Sequence, residues 1–196
     1  FINNLDALNY TTGNRSTLYA SFRFSFPTIS AAITSSVGKD ILLEPGYRGG
    51  IVPNIQKKLI TSYVENIVDY KLEDYDTAPF EINVLSVERI FVEKIFAIKE
   101  IYDKDNGETL QKKTRHYYDI YKLLQTTEVK TLLQNKTKLE SIISDINKIN
   151  LEYYGLKPLS KKDLINHAAI KPDENLLKKL KKGYLNDKSL YYNQTE

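Results

Sequence analysis

Hydrophobic and polar positions alternate cleanly in "LYASFRFSF", where Leu18, Ala20, Phe22, Phe24 and Phe26 interleave with Tyr19, Ser21, Arg23 and Ser25. A period of two predicts a strand with one buried and one polar face. A shorter run, "DILLE", ends at Glu44, before the breakers of "PGYRGG", and "FEINVL" from Phe80 to Leu85 alternates again. Between them the period lengthens. In "PNIQKKLITSYVENIVDY" the residues Ile55, Leu59, Tyr63 and Ile67 form one stripe behind Pro53, which predicts an amphipathic helix. Ser86 then stands as the N-cap of a long helix, with Arg89 at the third position and so no capping box.

After the polar loop "DKDNGE" only helical periodicity follows. Helices are predicted from Lys112 to Leu124, Glu128 to Ile149, Ser160 to Ala169 and Pro172 to Lys182. Ser160 with Asp163 marks one start, and Gly183 reads as a stop signal for the last. The expectation is an α+β chain: a mixed α/β region over 1–85 and a helical region over 86–196, without internal repeats.

Two helices break the pattern of apolar core and solvated back. In "VERIFVEKIFAIKEI" the apolar residues run nearly all round, which marks a buried helix. Lys94 is flanked there by Ile90, Phe91, Ala97 and Ile98, and it needs an anionic partner, a path to water or a ligand, because an unpaired buried charge is costly. Glu93 lies one turn after Arg89, suited to an ordinary i, i+4 pair. In "RHYYDIYKLL" the stripe Tyr117, Ile120, Tyr121 and Leu124 is expected to be core, leaving Arg115, His116, Asp119 and Lys122 on the other side. Arg115 and Asp119 fit a surface salt bridge, or the wall of a site.

Composition narrows the chemistry. The 196 residues are 41% hydrophobic and 27% charged, enough for an ordinary core. No cysteine is present, which excludes disulfides, thiolate metal sites and cysteine nucleophiles. The two histidines, His116 and His167, are too far apart for a short ligand motif, so a metal would sit on carboxylates. No apolar run is long enough to span a bilayer, and "FINNLDALNY" lacks the parts of a secretory signal. The net charge of +3 implies no nucleic acid by itself, but Lys157 to Lys188 holds nine lysines against four acids. "PGYRGG" lacks both phosphate-loop spacings, and "DYD", Asp74 to Asp76, has carboxylate-pair spacing within polar loop sequence.

The order "ILLEPGYRGG", "ITSYVENI", "FEINVLSVERIFVEKIFAI", "TRHYYDIYKLL" resembles the AbiEii/AbiGii family of nucleotidyltransferase toxins, the toxin halves of bacterial abortive-infection toxin–antitoxin pairs. The resemblance runs from about Leu18 to Leu124. It implies a polymerase-β-like nucleotidyltransferase sheet domain followed by helices, and a cytoplasmic enzyme of phage defence. It implies Mg²⁺-dependent transfer of a nucleoside monophosphate from an NTP to an acceptor such as tRNA, with a cognate antitoxin as partner.

Residue by residue, it puts a carboxylate and metal ligand on Glu44, a catalytic and nucleotide-binding lysine on Lys94, and a catalytic aspartate on Asp119. Arg115 and His116 become nucleotide-binding residues, and Glu93 falls in the same motif as Lys94. The family's first motif, Gly-Ser followed by D-x-D, is not in the sequence. A chain that begins at phenylalanine and contains no methionine is expected to be a fragment, inactive alone. A non-catalytic binding or regulatory module that keeps the helical scaffold is the alternative.

Overall fold

Residues 10–15, 20–25, 40–45, 56–60 and 79–186 are described by the computed structural model. Strands β1 (Tyr10–Arg15), β2 (Ala20–Ser25) and β3 (Asp40–Leu43) form an antiparallel sheet in that order. Phe22 and Phe24 of β2 are buried while Arg23 and Ser25 face water, as the alternation requires. Arg23 donates across the sheet to Asp40 at 3.0 Å. Strands β4 (Gln56–Ile60) and β5 (Phe80–Val84) make a separate antiparallel pair, with Lys57 opposite Asn83 and Leu59 opposite Glu81.

β4 corrects the helix expected from Pro53 onward. Its ladder partner lies more than twenty residues away, and pairing at that distance leaves no trace in a local helical period. The rest of that segment, with Tyr63 and Ile67, lies outside the described residues.

The helices follow β5. Helix α1 (Val87–Asp105) starts where Ser86 accepts a hydrogen bond from the Arg89 amide, and it ends at Asn106 and Gly107, both at positive φ. A 3-10 turn (Leu110–Lys113) leads into α2 (Arg115–Leu124). The single helix expected from Glu128 to Ile149 is two, α3 (Thr127–Gln134) and α4 (Lys136–Tyr154). Asn135 divides them: its side chain accepts from the Lys138 amide, offering the backbone a cap in place of continued helix. The short α5 (Lys161–Ile165) opens on the expected Ser160–Asp163 capping box. Helix α6 (Glu174–Asn186) runs through Gly183, which is buried against the Gln111 backbone instead of ending the helix.

α1 is the axis of this half of the chain. Phe91, Val92 and Phe96 pack with Val129, Leu132, Ile142, Ile146 and others of α3 and α4, while Ile98 packs with Leu110, Ala169, Leu176 and Leu180. Ile120 of α2 touches both clusters. The stripe of α2 is less buried than its periodicity predicts: Tyr117 and Ile120 are half-buried, but Tyr121 is 59% and Leu124 39% exposed. A short helix laid along α1 on one edge turns only part of its apolar arc inward. Among the described residues no helix is long and apolar enough to cross a membrane.

Candidate functional site

Helices α1 and α2 bring Lys94, His116 and Asp119 together across a gap of more than twenty residues in sequence. The Lys94 ammonium donates to Asp119 Oδ2 at 2.6 Å and lies 3.5 Å from His116 Nδ1. A lysine nitrogen can only donate, so Nδ1 is the acceptor and the ring proton sits on Nε2. Burial pushes the His116 imidazole down to about 4, helped by the nearby Lys94 and Arg115 charges and opposed by Asp119. At neutral pH it is therefore an uncharged ligand of the lysine, and among the described residues the third ammonium N–H has no acceptor.

The anionic partner that Lys94 required is thus Asp119. The carboxylate pairs with the neighbouring helix and not with Arg115, which stands exposed at the start of α2. Glu93 takes the expected bond from Arg89, at 2.7 Å. Arg89 is completely buried and is also held by Asp145 of α4. No local pattern points to Asp145, because its partner is 56 residues away.

A cleft of about 240 Å³ opens beside the cluster, between α1 and α4. Lys94 and His116 line it together with Glu93 and, on the α4 side, Ile146, Ile149 and Asn150. Asn150 is the residue sequence reasoning missed. It continues the buried stripe Leu139, Ile142, Ile146 by one more turn, and a polar side chain at such a position is a readable signal of use.

Glu44 follows β3, exposed, and does not line the cleft. Among the described residues no three His, Asp or Glu side chains come together as metal ligands. With Glu93 engaged by Arg89 and Asp119 by Lys94, the described carboxylates do not fit a two-ion centre. The Asp74–Asp76 pair and residues 46–50 of "PGYRGG" lie outside the described residues.

The geometry offers a cation fixed on a buried helix, a neutral imidazole and a carboxylate beside a small cleft, which suits holding an anionic group. No curated protein and no solved structure matches the chain. A family model, nucleotidyl transferase AbiEii toxin of type IV toxin–antitoxin systems, matches residues 5–187. The chain belongs to this family of nucleotidyltransferase toxins.

Proposed function

We propose that the intact protein transfers a nucleoside monophosphate from an NTP to a hydroxyl of an acceptor such as a tRNA end, with Lys94 holding the triphosphate. The observation that carries this reading is the Lys94 ammonium, committed to Asp119 and His116 through two of its N–H groups and left with a third at the mouth of the cleft. In the reaction the acceptor hydroxyl oxygen bonds to the α-phosphorus and gives up its proton to water, the bond to the bridging oxygen breaks, and pyrophosphate leaves with the electron pair. Lys94 would bind the phosphates and offset their charge. Asp119 and neutral His116 fix its position, so the cation needs no reorganisation as charge moves.

Support for an RNA acceptor comes from Lys157, Lys161, Lys162, Lys178, Lys181 and Lys182, all exposed, which could meet a phosphate backbone. The strands before Ser86 belong in this reading to the polymerase-β-like sheet domain, with Glu44 contributing a carboxylate, and a cognate antitoxin is the expected partner of a type IV toxin. Mg²⁺ enters this reading as the counter-ion of the triphosphate.

The test is transfer of label from α-labelled NTPs to RNA by the intact protein and its Lys94→Ala variant, with thermal midpoints measured alongside. Loss of transfer by at least about a hundredfold is expected with the fold retained. Normal specific activity in the variant would make Lys94 a structural ion-pair member. Nucleotide binding without any transfer by the wild type would favour a binding or regulatory module.

A further inference from the structure

Asn147 and Asn150 stand on the same helix and have opposite fates. The Asn147 amide donates to the Leu159 carbonyl and accepts from the Leu159 N–H, at 2.7 and 2.9 Å, so both its ends serve the fold. Asn150 is 95% buried as a residue and lines the cleft beside Lys94, and among the described residues its side chain makes no such bond; its amide is not sealed from solvent, so the access it keeps is on the cleft side. Its backbone carbonyl is already used, accepting from the Gly155 and Leu156 amides where α4 ends, so the side chain is not needed as a cap. A leucine would continue the apolar stripe better. An amide on the cleft wall with no partner among the described residues is free to serve as a recognition group.

Size and lining identify the chemistry. At about 240 Å³ the cleft is smaller than sites that enclose whole drug-sized ligands, and its walls include Ile90, Phe96, Ile146 and Ile149. An asparagine amide presents a donor and an acceptor side by side, the complement of adjacent acceptor and donor atoms on the edge of a base.

We infer that Asn150 reads the nucleobase of the NTP, whose ring enters the cleft while its phosphates remain outside on Lys94. This inference rests on the nucleotidyltransferase reading and adds the base-selecting residue to it. Lys94 sets affinity for any triphosphate, and Asn150 sets which one. A base that presents the wrong edge leaves the amide buried and unpaired, which is how a small site rejects close analogues.

The experiment is equilibrium binding of ATP, GTP, CTP, UTP and inorganic tripolyphosphate to the wild type and to Asn150→Leu, Asn150→Asp and Lys94→Ala variants, with thermal midpoints. The wild type should prefer one base by roughly 5- to 150-fold. Asn150→Leu should lose that preference, keep tripolyphosphate affinity within about twofold, and melt no lower than the wild type, because a leucine continues the apolar stripe of α4. Asn150→Asp, which turns the donor into an acceptor, should change which base is preferred. Equal wild-type affinity for all four NTPs, or unchanged base preference in the variants, overturns the inference while leaving the reading of Lys94 intact. A lowered midpoint in Asn150→Leu with equal losses for every probe makes Asn150 a structural residue and also overturns it. Failure of all five probes to respond to Lys94→Ala sinks the underlying reading instead.

Discussion

A double-mutant cycle on Lys94→Met and Asp119→Asn measures the contact on which the candidate site depends. Two unit charges about 4 Å apart attract by about 4 kcal/mol at an effective dielectric of about 20. Desolvation and the ordering of both side chains remove most of that. Exposed pairs retain about 0.2–1 kcal/mol, and breaking fully buried ones costs about 3–5 kcal/mol. The Lys94 and Asp119 side chains are 28% and 37% exposed, between those limits, so a coupling of about 1–2 kcal/mol is expected. For a chain of this size each kcal/mol moves the melting midpoint by about 2–4 °C. Urea titrations of the wild type, both single variants and the double variant yield the coupling directly. The matching cycle with Arg115→Met and Asp119→Asn should give almost none. A Lys94–Asp119 coupling under about 0.3 kcal/mol, or an equal one between Arg115 and Asp119, would refute the cross-helix pairing and with it the positioning of Lys94.

His116 makes stability depend on acidity. Its folded value of about 4 lies below its ordinary 6.5, so the unfolded chain takes up the proton first as pH falls. Stability should be full above pH 6.5 and decline between 6.5 and 4, by about 1–2 kcal/mol for a part-buried ring; in denaturant titrations the stability difference between the wild type and His116→Gln should change across that window and stay constant on either side of it. Arg89→Met leaves Glu93 and Asp145 without their shared cation and should cost about 3 kcal/mol, partly regained when both carboxylates become amides; a loss below about 1 kcal/mol would contradict its role. Gly183→Ala drives a methyl group into the Gln111 backbone and should destabilise by about 1–3 kcal/mol. Gly155→Ala meets no neighbouring atom yet should cost about 1–2 kcal/mol, because φ there is +63°. Thermal midpoints of the two variants check both costs.

What the sequence made legible was local. β2, β3 and β5, the Ser86 cap, α1 and the Ser160–Asp163 box each follow from residues within one turn or one pleat of each other. β4 was hidden because its identity comes from Phe80–Val84, and the division at Asn135 because a capping asparagine resembles any polar position in an amphipathic helix. Gly183 misled because a glycine serves close approach as readily as termination. The site divides the same way. A lysine among apolar neighbours announced that it needed a partner, but only the packing of α1 against α2 revealed that Asp119 serves Lys94 and not Arg115. The Arg89–Asp145 bond and the unpartnered Asn150 amide depend on α4 lying across α1, which periodicity alone does not encode.

The two core clusters share α1 as a common beam, with Lys94 between Phe91 and Val92 on one side and Ile98 on the other. Such a helix cannot fray into the site from either end without dismantling a cluster first. The Lys94 amide should therefore exchange its hydrogen only through opening of the whole helical half, among the slowest in the chain, whereas amides near Asn106 at the end of α1 should exchange by local fluctuation. The anchor of the candidate site is thus rigid over the lifetime of the fold, and any motion needed to admit a ligand falls to the shorter α2 and to the far wall supplied by α4.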